Sequence, residues 1–328
     1  MFYNEDCIEG SRKQLKSNSI DLIISDPPYG IDGDKLDRHY NRDERNVLDG
    51  YVEVSENEYP EFSMKWIDEA ERVLRPGGSI YIVSGYSNLR HILNALANTK
   101  LQEKNHIIWK YNFGVYTSKK YISSHYHILY YTKKGGNVTF NTNAFFADSE
   151  KSDMGGSLNY LDREDVWIIN REYKPGQIKN KNELPKSLLT KMILYSSNPN
   201  DMVCDFFLGS FSTAKVAIGL GRKACGFEIN KNAFDYQIAE IEKIQSGELL
   251  AELRQVPENK LINQGKPLSE DEVQNILSDF IRLSQKGFSK KTAIESLSNK
   301  YGRGYWSLTN ILANNTVQTV QQKEKSLF

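Results

Sequence analysis

Long apolar runs are missing from this sequence of 328 residues. No stretch approaches the roughly 20 residues that a membrane-spanning helix needs, and the N-terminus lacks the pattern of a secretory signal. A cytoplasmic protein is the expectation. Cysteine is scarce: Cys7, Cys204 and Cys225 are odd in number and have no paired spacing. That argues against a disulfide framework or a zinc site, so no metal is expected and the thiols read as small buried hydrophobes. Excess charge of either sign is also missing, with 42 basic residues against 42 acidic ones. Any nucleic-acid surface must therefore be local.

What is present is organised around Asp26-Pro27-Pro28-Tyr29-Gly30. The preceding run, Ile20 to Ser25, reads as a short buried strand of a parallel sheet. The tetrad then falls at the carboxyl end of that strand, where open α/β sheets place ligands. Two successive prolines lack amide hydrogens and cannot extend the ladder, so they stiffen a loop. An acid and a proline carbonyl can both accept from one NH2 group, and a tyrosine can stack on the ring that carries it. The loop suits chemistry on a planar amine.

A second constellation lies late in the chain. Asp201 to Phe207 reads as a strand, Leu208 to Thr213 as a turn, and a helix with Ala214, Ala217 and Ile218 follows. Lys223 to Ile229 is the next strand, with Glu228 near its end. This β-α-β unit suits a nucleoside, with a small residue for close approach and an acid for ribose hydroxyls. The turn holds one glycine instead of the three of the dinucleotide fingerprint, which disfavours pyrophosphate.

Between them the periodicity alternates. A helix is expected over Phe62 to Leu74, stopped by Arg75-Pro76-Gly77-Gly78, then a strand over Ser79 to Val83 and a helix over Ser87 to Ala97. Ile107 to Trp109 and His125 to Thr132 read as further strands. A helix opens at Leu184-Pro185-Lys186-Ser187. Asp32 to Tyr59 reads as a long loop closing over the site, or as a solvated insertion. Trp109 to Lys134 holds five lysines, eight aromatics and no acid. Lysines neutralise phosphates and rings stack on bases, so Lys119, Lys120 and Tyr121 are the nucleic-acid contact candidates.

At this point the sequence resembles a family. Asp26-Pro27-Pro28-Tyr29 is similar to the catalytic motif of S-adenosylmethionine-dependent DNA amino-methyltransferases. Asp205, Phe207, Gly209, Ser210 and Thr213 are similar to its cofactor motif, with Phe206 replacing a proline and Phe211 a glycine. Asp6 and Cys7 follow Glu5 where the family often has a glycine. At Leu184-Pro185 only the proline survives from the family's pattern, and Tyr126 stands where a glutamate is common. The order of the motifs resembles the circularly permuted β-group.

The resemblance implies a doubly wound, mostly parallel seven-stranded Rossmann-like sheet over residues 1–245, with a target-recognition region over about 112–181. It implies catalysis by Asp26, Pro27, Pro28 and Tyr29. It implies S-adenosylmethionine held by Asp6, Cys7, Asp26, Pro185, Lys186, Ser187, Asp205, Phe207, Gly209, Ser210, Thr213, Glu228 and Asn230. Double-stranded DNA is the implied partner, and Lys110 and Asn112 join its contact candidates only through the resemblance. A cognate restriction endonuclease and a homodimer are also admitted. Aspartate at the head of the tetrad points to N6 of adenine, and N4 of cytosine is the nearest alternative. A DNA-binding protein with a vestigial cofactor pocket, and RNA or protein methylation, are rivals.

Residues 246–266 read as a linker. Beyond it, Ser269 with Glu272 forms a capping box, and helices are expected to Gly287, over Ser289 to Lys300 and over Trp306 to Ala313. From 260 to 328 there are ten basic residues and six acids, a net of +4. A helix-turn-helix-like module touching DNA and a packing appendage both fit.

Overall fold

The computed structural model describes residues 1–28, 54–112, 114, 116–172, 183–257, 263 and 266–314. Tyr29, Gly30 and the expected closing loop as far as residue 53 lie outside them. Residues 1–256 and 257–328 form two compact units.

The first unit is built on one sheet of order β1-β8-β7-β2-β3-β5-β4-β6. Its strands are β1 (Phe2–Tyr3), β2 (Ile20–Ser25), β3 (Leu74–Ser84), β4 (Leu101–Lys110), β5 (His125–Lys133), β6 (Val166–Ile168), β7 (Met202–Asp205) and β8 (Lys223–Phe227). Every pairing is parallel except those of β5, which runs antiparallel between β3 and β4. Among the described residues the sheet has eight strands, one more than expected, and the additional one is β6. It comes from the stretch that shows little periodicity, follows the short helix α4 (Leu158–Asp162) and pairs with the end of β4.

The apolar runs form strands because both faces of the sheet are covered. Leu22 and Ile24 of β2 face a core shared with helices α5 (Lys186–Ser196) and α6 (Ser212–Gly219). Ile20 and Ile23 face the other core, under α1 (Cys7–Gln14), α2 (Tyr59–Val73) and α3 (Leu89–Ala97). The four β2 residues are at most 1% exposed. At about 25 cal/mol per Å² of apolar area, each such side chain favours the fold by roughly 1.5–3 kcal/mol before entropy is counted. Among the described residues no helix is long and apolar enough to cross a membrane.

Two boundaries differ from expectation. Arg75-Pro76-Gly77-Gly78 does end α2, but it lies within β3. The register slips from Ile20↔Leu74 to Leu22↔Ser79, so these residues form an irregularity instead of a break. Gly77 adopts φ +78°, and a Cβ there would lie 2.2 Å from Asn137 O. Lys133 then stitches this corner: its Nζ donates to the carbonyls of Glu71 (2.6 Å) and Leu74 (2.8 Å) and to Asn18 Oδ1 (2.9 Å). Residues 246–256 are no free linker. A 3-10 turn over Glu248–Glu252 lays Leu249 and Leu253 against the core beside α6.

The second unit has α8 (Glu270–Gln285), α9 (Lys290–Tyr301) and a further helical stretch over 305–314. Ile276 of α8, Ile294 and Leu297 of α9, and Leu308, Ile311 and Leu312 of the last helix form its core. Ser269 caps α8 by accepting from Glu272 N–H. The expected reciprocal half of that box is missing, because the buried Arg303 engages the Glu272 carboxylate at 2.7 Å on both oxygens. Gly302 (φ +61°) ends α9, and residues 302–304 form the turn into the last helix.

Candidate active site

The carboxyl ends of the parallel strands define one rim. The connection from β7 runs through α6 to β8 on one side, and the connection from β2 runs through α2 to β3 on the other. The crevice between β7 and β2 is therefore the topological switch point. Strands β2 and β7 pair directly, Leu22 with Val203 and Ile23 with Cys204. At their tips Phe206 N–H donates to Ser25 Oγ at 3.1 Å. The two sequence constellations, nearly 180 residues apart, thus adjoin one another. Ser25 has no sequence pattern of its own and sequence reasoning missed it.

Asp26 follows Ser25 and is partly buried, with Pro27 buried and Pro28 partly buried. Tyr29 lies outside the described residues. Across the crevice Asp205 is 5% exposed, and its carboxylate accepts from Phe207 N–H at 3.0 Å. Burial pushes its pKa up to about 6; Phe207 N–H and the Ser25 hydroxyl pull the other way, and Glu228 pushes it further up. Glu228 closes the turn, accepting from Gly209 N–H (2.8 Å) and Asn230 N–H (2.7 Å). Burial also raises its pKa.

The turn is shaped by two residues with positive φ, Gly209 (+50°) and Phe211 (+59°). Phe211 replaces the family's glycine at that cost, and its ring explains why it is tolerated. It is fully buried between Phe2 (5.3 Å) and Phe234 (5.9 Å), so it presents no surface to a ligand. Phe206 is likewise buried, against Trp66 and Phe227. Gly226, which sequence reasoning passed over, admits the close approach of β7 and β8: a Cβ there would sit 2.2 Å from Asp205 O. A glycine inside a strand is the available signal for such an approach.

The remaining candidates divide. Asp6 stands just past β1, beside β8, where Asn4 Nδ2 ties the chain to Glu228 O at 2.7 Å. Its carboxylate caps α1, accepting from Ile8 N–H (2.9 Å) and Glu9 N–H (3.1 Å). Cys7 is buried, and burial raises its thiol pKa. Ser210 and Thr213 are buried beside the turn, and Asn230 caps α7 (Lys231–Ile241). Pro185 is buried ahead of α5, whereas Lys186 pairs with Glu252 at 2.6 Å. Ser187 lines a cavity of about 430 Å³ against Val166 to Ile169, whose wall includes none of the turn residues. Lys110, Asn112, Lys119, Lys120 and Tyr121 are exposed in or beside the β4–β5 connection, at the same rim.

Four neighbouring parallel strands therefore each lead into an acid at this rim: Asp6 after β1, Glu228 after β8, Asp205 ending β7 and Asp26 after β2. At a strand spacing of about 4.8 Å they form a short acidic row. Such a row repels a pyrophosphate and suits a ligand carrying ammonium and sulfonium charges. The donor set fits S-adenosylmethionine.

The model of a family described as DNA methylase matches residues 20–240. The chain belongs to this DNA methylase family. It is 33% identical over 242 residues to the type II methyltransferase M.BamHI of Bacillus amyloliquefaciens, covering 69% of this chain and 54% of that protein. It is 30% identical over 269 residues to the DNA adenine methyltransferase YhdJ of Escherichia coli, covering 77% and 86%. The chain thus spans about half the length of the first relative and most of the second. Among solved structures, the M1.HpyAVI-SAM complex has a TM-score of 0.52 at 21% identity, covering 74% of this chain and 99% of that one. PvuII DNA methyltransferase (cytosine-N4-specific) has a TM-score of 0.54 at 16% identity, covering 78% and 93%. These share the Rossmann-like fold. As a DNA methylase, the chain is an S-adenosylmethionine-dependent DNA methyltransferase.

Proposed function

We propose that the chain methylates N6 of adenine in double-stranded DNA, with Asp26 as the residue that directs the amine. The row of acids ending in Asp26 at the switch point carries this reading. Glu228, Asp205 and Asp6 hold the nucleoside and its cationic chain, with Gly209, Ser210, Thr213, Phe207 and Asn230 shaping the turn. When bound, S-adenosylmethionine supplies an electrophilic methyl on a sulfonium. The adenine amine is a weak nucleophile because its lone pair conjugates with the ring. Asp26 and the Pro27 carbonyl accept its two hydrogens and localise that lone pair as attack begins. Pro28 stiffens the loop, and Tyr29 stacks on the base, which leaves the duplex to be reached.

The shared fold does not choose between bases, since a cytosine-N4-specific enzyme has it too. Aspartate at the head of the tetrad supports adenine, as does the similarity to a relative named for adenine. The test is incubation with tritiated S-adenosylmethionine and mixed-sequence duplex, then nucleoside digestion. Label in N6-methyldeoxyadenosine is expected. Label in N4-methyldeoxycytidine, or DNA binding without label, would overturn the assignment.

The relatives named type II methyltransferases support a modification role opposite a cognate restriction endonuclease. In the second unit, α9, the 302–304 turn and the 305–314 helix follow a helix-turn-helix order. The last helix exposes Trp306, Ser307 and Asn310 near its start. Lys290 and Lys291 open α9, while Arg282, Lys300 and Arg303 are engaged by Asp279 and Glu272. This arrangement supports an auxiliary DNA contact, with the last helix toward a groove and the two lysines toward phosphates.

A further inference from the structure

Farther along the same rim three rings form a floor. Trp109 comes from β4, Tyr111 follows its last residue, and Tyr126 lies near the start of β5. Trp109 and Tyr126 stack at 5.5 Å, and Tyr111 lies 5.5 Å from Tyr126 and 5.8 Å from Trp109. The Arg171 guanidinium sits over all three, 4.9 Å from Tyr111, 5.2 Å from Tyr126 and 6.0 Å from Trp109. Its segment is pinned on both sides. Ile169 N–H donates to Lys110 O at 3.1 Å, and Ile169 O accepts the Trp109 indole N–H at 2.8 Å. Glu172 accepts Lys186 N–H at 2.7 Å.

Arg171 is partly buried, its Nε is buried without a hydrogen-bond partner, and it forms no ion pair among the described residues. Ring faces offset only part of the cost of taking a cation out of water. A planar fork of donors held in one orientation is made for an oxyanion. Two oxyanions belong to the proposed reaction, the cofactor's carboxylate and a DNA phosphate. Strands β5 and β4 lie two and three positions beyond β2, about 10 and 14 Å at sheet spacing, on the side away from β7 and β8. The connection that exposes Lys119, Lys120 and Tyr121 leaves and re-enters the sheet on these same two strands.

We infer that Arg171 is a pre-oriented seat for a backbone phosphate of the DNA. The inference rests on the DNA methyltransferase reading, and its test uses binding so that the two can fail separately. Duplex affinity is measured against salt, and S-adenosylmethionine affinity by calorimetry, for the wild-type chain, Arg171→Met and Arg171→Lys. Methionine keeps an apolar stem over the rings and removes the charge. Its duplex affinity should fall roughly tenfold, with the slope of log K against log salt shallower by about one. Lysine should keep the slope and lose part of the affinity, which decides the matter should the methionine variant unfold. Cofactor affinity should not change in either. An unaltered duplex affinity in both variants, or an unaltered slope in a folded methionine variant, would overturn the seat. So would a loss of cofactor affinity, which would assign the fork to the methionine carboxylate. A wild-type chain that binds duplex but transfers no methyl would sink the enzymatic assignment and leave this one standing.

Discussion

The Ser25 hydroxyl accepts the backbone N–H of Phe206 across a sequence separation of 181 residues. This one bond aligns the tip of the strand that leads into Asp26 with the tip of the strand that carries Asp205. Ser25→Ala leaves a buried amide without its acceptor, a loss of about 1–3 kcal/mol. Urea midpoints should register it, and turnover should fall more than cofactor affinity does.

Asp26→Ala removes the acceptor for the amine without touching the β7 turn. Methyl transfer should be abolished, with S-adenosylmethionine affinity changed by no more than a few-fold in calorimetry. Equal loss of both would make Asp26 a structural residue.

Asp205 gives the site a pH dependence. Its pKa is about 6 in the folded chain against an ordinary 3.8. The native state therefore holds this proton more tightly than the unfolded state. The associated stability is full below about pH 4, falls as pH rises toward 6 and is level above it. Asp205→Asn removes that dependence, so the variant should be more stable than wild type at pH 7 to 8 by up to about 3 kcal/mol. The difference should vanish toward pH 4. Cofactor affinity of the wild type should weaken as pH drops through 6, because the neutral acid no longer faces a cation.

Phe211→Gly restores the family's glycine at a positive-φ position but empties the space between Phe2 and Phe234. Losing a buried ring costs about 3–5 kcal/mol, and relief of the left-handed backbone returns about 1–2. Net destabilisation of about 1–4 kcal/mol is expected, with cofactor affinity within a few-fold. A large gain in affinity would mean that the ring obstructs the pocket after all.

Gly226→Ala places a Cβ 2.2 Å from Asp205 O and 2.8 Å from Leu208 Cγ. Backbone cannot yield there cheaply, so a loss of about 1–3 kcal/mol or more is expected, together with weaker cofactor binding. A variant with wild-type melting and affinity would contradict the tight approach of β7 to β8.

The sequence made β2, β7 and β8 legible because each is an apolar run bounded by turn residues, and their loops carry chemistry. It hid β6, whose three residues become a strand only by pairing with β4. It also hid the start of β3, where Pro-Gly-Gly reads as a break and Gly77 instead takes the positive φ of the strand's irregular stretch. Within the site, Asp26, Asp205 and Glu228 announced themselves by motif. Ser25, Gly226 and Arg171 did not, since a lone serine, glycine or arginine acquires meaning only from what the fold sets against it. Ser187 shows the converse, a position suggested by resemblance whose cavity faces β6.

The sheet order has a consequence for biosynthesis. Strands β7 and β8, among the last to leave the ribosome, insert between β1 and β2, which are the first. No partial chain ending before Lys223 can close the acidic row, whatever its local helices have done. On the proposed reading, methyl transfer is thereby tied to translation past Glu228, and a nascent chain stalled at an earlier codon would lack a complete cofactor site.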